Sequence, residues 1–184
     1  MRGHLATLVL LAVFRSTVVA ADPPERSVRL GWAAQASGTS NTLMGVWGAD
    51  VSSVFVVGKE GTVLRWDGKS WSALSTGSAS SFTSVWGASP RDLFAAGDGG
   101  LILRYDGTAW TKQETGTTVN LDAVWGSSGR DVFAVGDADG TILHFDGKAW
   151  RRMESGTDAP LFGIWGCGPT DVYAVGMGAT VLRF

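Results

Sequence analysis

The sequence repeats one unit four times, and this repeat restricts the fold more than any other feature. A Trp-Gly pair recurs with steps of 39, 39 and 40 residues, at Trp47, Trp86, Trp125 and Trp165. A glycine after the next apolar run keeps the same steps, at Gly58, Gly97, Gly136 and Gly176. A second tryptophan stands 15 residues before each pair, at Trp32, Trp71, Trp110 and Trp150. Units of this length in register predict an array of equivalent supersecondary structures.

Each unit divides into four short strands, for example Phe82 to Gly87, Asp92 to Gly97, Leu101 to Tyr105 and Ala109 to Gln113. The second strand is apolar at every position, which is typical of a strand covered on both faces. The fourth is more polar, which favours an outer edge. Four-stranded units repeating about every 40 residues indicate propeller blades. The predicted fold class is therefore all-β, a β-propeller of four four-stranded blades.

The register predicts how the ring closes. The units span 28–66, 67–105, 106–145 and 146–184, so each begins with the edge strand and ends with strand three. We therefore expect the strand around Trp32 to pair with Thr180 to Phe184. Two arrangements satisfy this count. A closed four-bladed monomer avoids the entropy of association and is favoured; the alternative is a half ring that dimerises into eight blades.

Residues 1–20 have the pattern of a secretory signal. Arg2 precedes the apolar stretch Leu5 to Phe14, and Ala20 is a small residue at the expected cleavage point. This predicts a secreted, periplasmic or cell-surface protein with a short linker over 21–27; the alternative is an uncleaved extension. No apolar run is long enough to span a membrane.

Composition narrows the partners and the chemistry. The net charge of −2 gives no basic footprint, which argues against nucleic acid. The single cysteine, Cys167, occupies the position of Ala49, Ala88 and Ser127, so we interpret it as a small residue and not as a reactive thiol. The sequence predicts no disulfide framework, metal site or cofactor.

The run from Gly99 to Trp110 resembles a shortened kelch motif, with its double glycine, then Tyr105, then Trp110. The whole unit, "VWG…DVFAVG…GTILHFDGKAW…SGT", is similar to the Trp-rich propeller repeats of exported bacterial proteins. The resemblance covers Val28 to Phe184 and implies the propeller fold. The Asp-Gly-x-x-Trp motif is also similar to the sialidase Asp-box, although it lacks the residue between Asp and Gly. Propellers host unrelated activities, so the resemblance does not specify a function.

Two rows of equivalent side chains are candidates for ligand binding. The tryptophans Trp47, Trp86, Trp125 and Trp165 are expected to pack between blades, with stacking on a sugar as the alternative. A basic row is expected on a solvent-facing edge, with an acidic partner or glycan as its alternative ligand; it comprises Arg65, Arg104, His144 and Arg183.

Two sets of aspartates are interpreted as turn residues. Three Asp-Gly pairs are expected in hairpins between strands three and four: Asp67-Gly68, Asp106-Gly107 and Asp146-Gly147. Asp92, Asp131 and Asp171 precede strand two and are expected to cap backbone N–H groups, with a ring of acids around a cation as the alternative.

The sequence therefore favours an exported, non-catalytic binding or scaffold module for a protein or glycan, either monomeric or homodimeric. Acids repeated symmetrically in each blade do not supply the unequal carboxylate pair that a glycosidase requires. The alternatives are a glycoside hydrolase or lyase-like enzyme with unidentified catalytic residues and a truncated piece of a larger propeller.

Overall fold

The computed structural model describes residues 31–184. The predicted signal 1–20, the linker 21–27 and the first residues of the first repeat lie outside the described residues. The chain divides into two units, Met1–Ala34 and Gln35–Phe184. In the first unit, the described residues Gly31–Ala34 form no strand, and Trp32 is fully exposed.

The unit Gln35–Phe184 folds into four antiparallel sheets, which we call blades 1 to 4. Blade 1 contains β1 (Leu43–Asp50), β2 (Ser53–Gly58), β3 (Val63–Trp66) and β4 (Trp71–Ala73). Blade 2 contains β5 (Phe82–Ser89), β6 (Asp92–Gly97), β7 (Ile102–Tyr105) and β8 (Trp110–Gln113), with a short 3₁₀ turn at Asp98–Gly100. Blade 3 contains β9 (Leu121–Ser128), β10 (Asp131–Gly136), β11 (Ile142–Phe145) and β12 (Trp150–Met153). Blade 4 contains β13 (Leu161–Gly168), β14 (Asp171–Gly176) and β15 (Val181–Arg183).

The core lies between successive blades. In β6 the side chains of Leu93, Phe94, Ala95 and Ala96 are all inaccessible to solvent, which confirms that the second strand of an inner blade is covered on both faces. The outer strands β8 and β12 have exposed polar residues, as expected for an edge. Within the described residues, no helix has both the length and the apolar content needed to cross a membrane.

A tryptophan resting on a glycine joins each blade to the next. A methyl group built on Gly126 would lie 2.8 Å from the ring of Trp86 in the preceding blade, and one on Gly166 would lie 2.7 Å from Trp125. Between blades 1 and 2, a methyl group built on Gly87 would likewise lie 3.0 Å from the ring of Trp47. The Trp-Gly pair therefore packs one blade on another. The glycine of each pair leaves room for the indole of the preceding blade, and the tryptophan of the same pair covers the glycine of the following blade.

The first and last blades do not complete a ring in the described residues. The first strands of the blades pack in the order β1, β5, β9 and β13, and β13 does not return to pack on β1. Val46 of β1 is accordingly 69% exposed, whereas its equivalent Val85 is 6% exposed. Of the two arrangements that the sequence permits, this is the open one.

The favoured strand exchange between the two ends is therefore not formed by the described residues. Blade 4 has three strands and not the predicted four, and β15 pairs with β14 alone. Residues 31–36 form no strand. Within the second unit, Gln35 lies instead on blade 1, where its side-chain oxygen accepts a hydrogen bond of 3.2 Å from Trp71 Nε1.

Candidate functional site: the open face of the fourth blade

Three of the four residues of the basic row are paired with an aspartate of their own blade. Arg104 Nε lies 2.8 Å from Asp92 Oδ1, His144 Nε2 lies 2.7 Å from Asp131 Oδ1, and Arg183 Nε lies 2.9 Å from Asp171 Oδ1. Each pair links strand three of a blade to the start of strand two. These three aspartates therefore bind basic side chains. The sequence had predicted that they cap backbone N–H groups instead.

Aromatic rings of strand two lie beneath this row. The Arg104 guanidinium stands 5.0 Å from the centre of the Phe94 ring, and His144 stacks on Phe133 with ring centres 4.3 Å apart. Such contacts favour a cation on the ring face. In blade 1, Ser53 replaces the acid, and Arg65 Nε is buried without a hydrogen-bond partner in the described chain. We interpret the basic row as structural.

The Asp-Gly pairs form the hairpin turns between strands three and four. Asp106 Oδ1 accepts hydrogen bonds of 2.8 Å from the backbone N–H groups of Thr108 and Ala109, and Asp67 and Asp146 make the equivalent pairs. These N–H donors hold the pKa of all three carboxyl groups below its usual range. Gly107 has a φ of 94°, which a residue with a side chain rarely adopts.

Three of the four tryptophans in the Trp-Gly row are partly buried and contact a glycine of the next blade, as expected for packing between blades. Trp165 differs, because no blade of the described chain follows it, and it is 61% exposed. Trp165 therefore lies on an uncovered sheet face and not at one of four equivalent sugar sites.

The uncovered face of blade 4 is apolar. We call it the trailing face, and it comprises Trp165, Tyr173, Val175 and Val181. Val181 is 66% exposed, whereas its equivalents Val63 and Ile102 are buried against the next blade. An apolar patch of adjacent large side chains is a mark of an interaction surface. In blade 4, the apolar second strand is therefore covered on the face toward blade 3 and exposed on the trailing face.

A cavity of about 140 Å³ lies between blades 3 and 4, next to the open edge of β15. In blade 3 the indole of Trp150 packs 5.4 Å from Phe145 and 6.0 Å from Phe94 of the preceding blade. The equivalents of those two phenylalanines are Phe184 and Phe133, and both line the cavity. Glu154, Ser155 and Arg183 add polar groups to its lining. The cavity therefore has the aromatic walls that hold an outer-strand tryptophan elsewhere.

Among the described residues, Asp122 is the one acid whose pKa the fold raises. It lies on β9, and partial burial raises its pKa, as do the negative charges of Asp137 and Asp98. The equivalent residues of the other blades are uncharged: Met44, Thr83 and Phe162.

Asp122→Asn is therefore expected to raise the melting temperature at pH 7. A carboxyl group whose pKa is higher in the folded chain stabilises the fold when protonated, and that contribution is lost as the pH rises above the ordinary value of about 4. The variant and the parent should thus converge near pH 3. Thermal unfolding at both values checks this, and a less stable variant at pH 7 would show that the carboxylate makes a favourable contact.

No group of three or more His, Cys, Asp or Glu side chains among the described residues is placed to hold a metal ion. Tyr173, Val175, Val181 and Phe184 are not among the candidate ligand-binding residues named from the sequence. Their signal is the repeat itself: the equivalents of the first three are covered by a following blade, and Tyr105 and Phe145, the equivalents of Phe184, pack on an outer-strand tryptophan.

Solved structures show which fold these blades form. YCF48 from Cyanidioschyzon merolae superposes with a TM-score of 0.65 at 16% identity, over 78% of this chain and 50% of that one. A structure of YCF48 bound to D1 peptide superposes with a TM-score of 0.59 at 14% identity, over 84% of this chain and 57% of that one. The fold is that of a β-propeller.

The propeller prediction is thus confirmed, and the chain spans about half the length of these two structures. No family model matches the sequence, and no curated protein matches it. The resemblance to kelch-like repeats therefore stays a prediction.

Proposed function

We propose that this chain is a non-catalytic protein-binding module, which takes an extended segment of its partner along the open edge of β15. The observation that carries the proposal is that the unpaired edge of β15 lies between two surfaces of blade 4: the aromatic cavity on the face toward blade 3 and the trailing face on the opposite side. We also propose that the protein is exported, on the signal-like pattern of residues 1–20.

The edge of β15 offers backbone hydrogen bonds. Phe184 exchanges both of its backbone hydrogen bonds with Val172 of β14. Because residues alternate along an antiparallel strand, the N–H and C=O groups of Arg183 point to the other side. In blade 3 the equivalent residue, His144, faces Arg151 of an outer strand. An open edge of this kind can be completed by a strand from another chain.

The cavity specifies the side chain that such a strand would carry. Its aromatic walls and its equivalence to the Trp150 pocket favour a large aromatic residue opposite Phe184. Glu154 and Ser155 at the same cavity suit polar groups on the neighbouring backbone. A YCF48 structure carries a bound peptide, which supports peptide binding as a role that this fold accommodates.

A peptide copied from the outer strand of blade 3 tests the proposal. Residues 148–155 contain Trp150 and already pair with a β-strand of this fold. We expect the labelled peptide to bind the full chain, diluted until it is monomeric, in fluorescence anisotropy, and the Trp150→Ala peptide to bind at least 10-fold more weakly.

Removing the aromatic wall in a Phe184→Ala chain should weaken the first peptide by a similar factor. Phe162→Ala, a change at an exposed aromatic outside the cavity lining, is the matched control. Equal affinity of the two peptides, or no binding of either, would contradict the proposal.

A further inference from the structure

We infer that the segment bound at this edge belongs to a second copy of the chain, and that two copies join head to tail into an eight-bladed ring. This inference rests on the proposed function, because it names the partner of the same site. Its evidence is that the two ends of the described propeller are complementary surfaces.

The first complementary contact is Trp165 with Gly48. Trp165 has no glycine beneath it in the described chain, and Gly48 has no tryptophan over it: the nearest atom to a methyl group there would be Val54 Cγ2 of the same blade, at 3.3 Å. The three internal steps each place the preceding tryptophan on this glycine. Trp165 of one copy therefore fits Gly48 of another by a contact that the chain already makes three times.

A second contact has the same logic. Phe55 lies 6.3 Å from Tyr105 of the following blade, and Phe94 lies 5.7 Å from Phe145. Tyr173 on blade 4 is the equivalent of Phe55 and Phe94, and no following blade of the described chain contacts it. Trp66 on blade 1 is the equivalent of Tyr105 and Phe145, and no preceding blade of the described chain contacts it. Val46, exposed on blade 1, likewise corresponds to Val85, which blade 1 covers in the internal step.

The spacing of Trp32 in the sequence adds a third argument. In each internal repeat the outer-strand tryptophan stands 11 residues before the first strand of the next blade, as Trp150 does before Leu161. Trp32 stands 11 residues before Leu43, the first residue of β1. The repeat therefore assigns Trp32 to the outer strand of a blade that precedes β1.

Two copies cover both of the faces that the described blades leave uncovered. Each chain has one leading face on blade 1 and one trailing face on blade 4, and an identical chain is the partner that carries both complements. A two-fold pair joins them twice and closes a ring of eight blades, which lies within the range that propellers adopt.

Molecular mass and two single substitutions test this inference. The full chain should sediment as a dimer at micromolar concentration. Gly48→Ala should raise the dissociation constant at least 100-fold, because the added methyl group occupies the place of the incoming indole, and Trp165→Ala should do the same from the other face. Near-ultraviolet circular dichroism checks that both variants stay folded.

Mixing the two variants gives the sharpest result. A Gly48→Ala chain keeps its Trp165, and a Trp165→Ala chain keeps its Gly48, so the mixture regains one unaltered contact and should associate when neither variant does alone. An interface that does not join Trp165 of one copy to Gly48 of another gives no such rescue. A monomeric parent chain, or a dimer that both substitutions leave intact, would overturn the inference.

The same variants separate this inference from the proposed function. Gly48→Ala keeps the cavity of blade 4 intact, so the peptide of residues 148–155 should bind it. A monomeric parent that binds the peptide refutes the second copy and leaves protein binding standing. A monomeric parent that binds no peptide refutes both.

Discussion

Replacing Trp86 with alanine is expected to lower the free energy of unfolding by about 3 kcal/mol, the lower end for removing a large aromatic side chain from a packed site. Trp86 packs on the core cluster that contains Phe94 and Val124. Its ring also covers Gly126 of the next blade. The loss therefore opens the contact between blades 2 and 3 and not one blade alone. Chemical denaturation monitored by circular dichroism measures the change.

Trp165→Ala is the control for this prediction, because it removes the same side chain from a blade that nothing in the described chain follows. At a dilution that separates the chains, it should cost less than about 1 kcal/mol, as for other exposed positions. Equal losses for Trp86→Ala and Trp165→Ala would mean that the tryptophans do not stabilise the fold through the next blade.

Gly126→Ala is expected to destabilise the chain by about 2 kcal/mol, as for overpacking of a filled site. The new methyl group would lie 2.7 Å from the backbone oxygen of Asp131 and 2.8 Å from the Trp86 ring. The backbone oxygen belongs to the adjacent strand of the same sheet, so neither neighbour can give way without moving a blade. Thermal and chemical unfolding should both report the loss.

Gly48→Ala makes the matched control, since its nearest contact is a side-chain atom, Val54 Cγ2 at 3.3 Å, and no backbone atom lies closer than 3.6 Å. Measured on separated chains, it should change stability by less than about 0.5 kcal/mol, as for substitutions away from packed sites. If Gly126→Ala were equally mild, the indole would not require glycine beneath it.

The sequence was sufficient to predict the repeat, the strands and the propeller, because each depends on spacing and local pattern. Four rows in register locate the strands, and an apolar second strand indicates burial on both faces. The Asp-Gly hairpins follow from local backbone preferences. These features need no knowledge of what lies on the other side of a blade.

What the sequence could not predict is which contacts span two strands or two blades. Asp92 precedes a strand, as a turn cap would, and its pairing with Arg104 depends on the register between β6 and β7. The exposure of Trp165 is likewise invisible in its own row, since all four members look alike in sequence. Only the packing order shows that blade 4 lacks a following blade in the described chain.

The proposed peptide binding and the proposed pairing of two copies both depend on one surface, the edge of β15 beside the trailing face. We propose that the predicted pairing of this edge with the strand around Trp32 forms between two copies. The closed four-bladed monomer would need β1 to pack on β13, which the described residues do not do.

Hydrogen exchange at the Arg183 amide tests that account most directly. In the parent chain at micromolar concentration, this amide should exchange at least 10-fold more slowly than in the Gly48→Ala variant, whereas the His144 amide, paired with an outer strand in both, should exchange equally slowly. Fast exchange of Arg183 in both chains would show that nothing covers the edge. Slow exchange in both, even at limiting dilution, would show that one chain closes on itself.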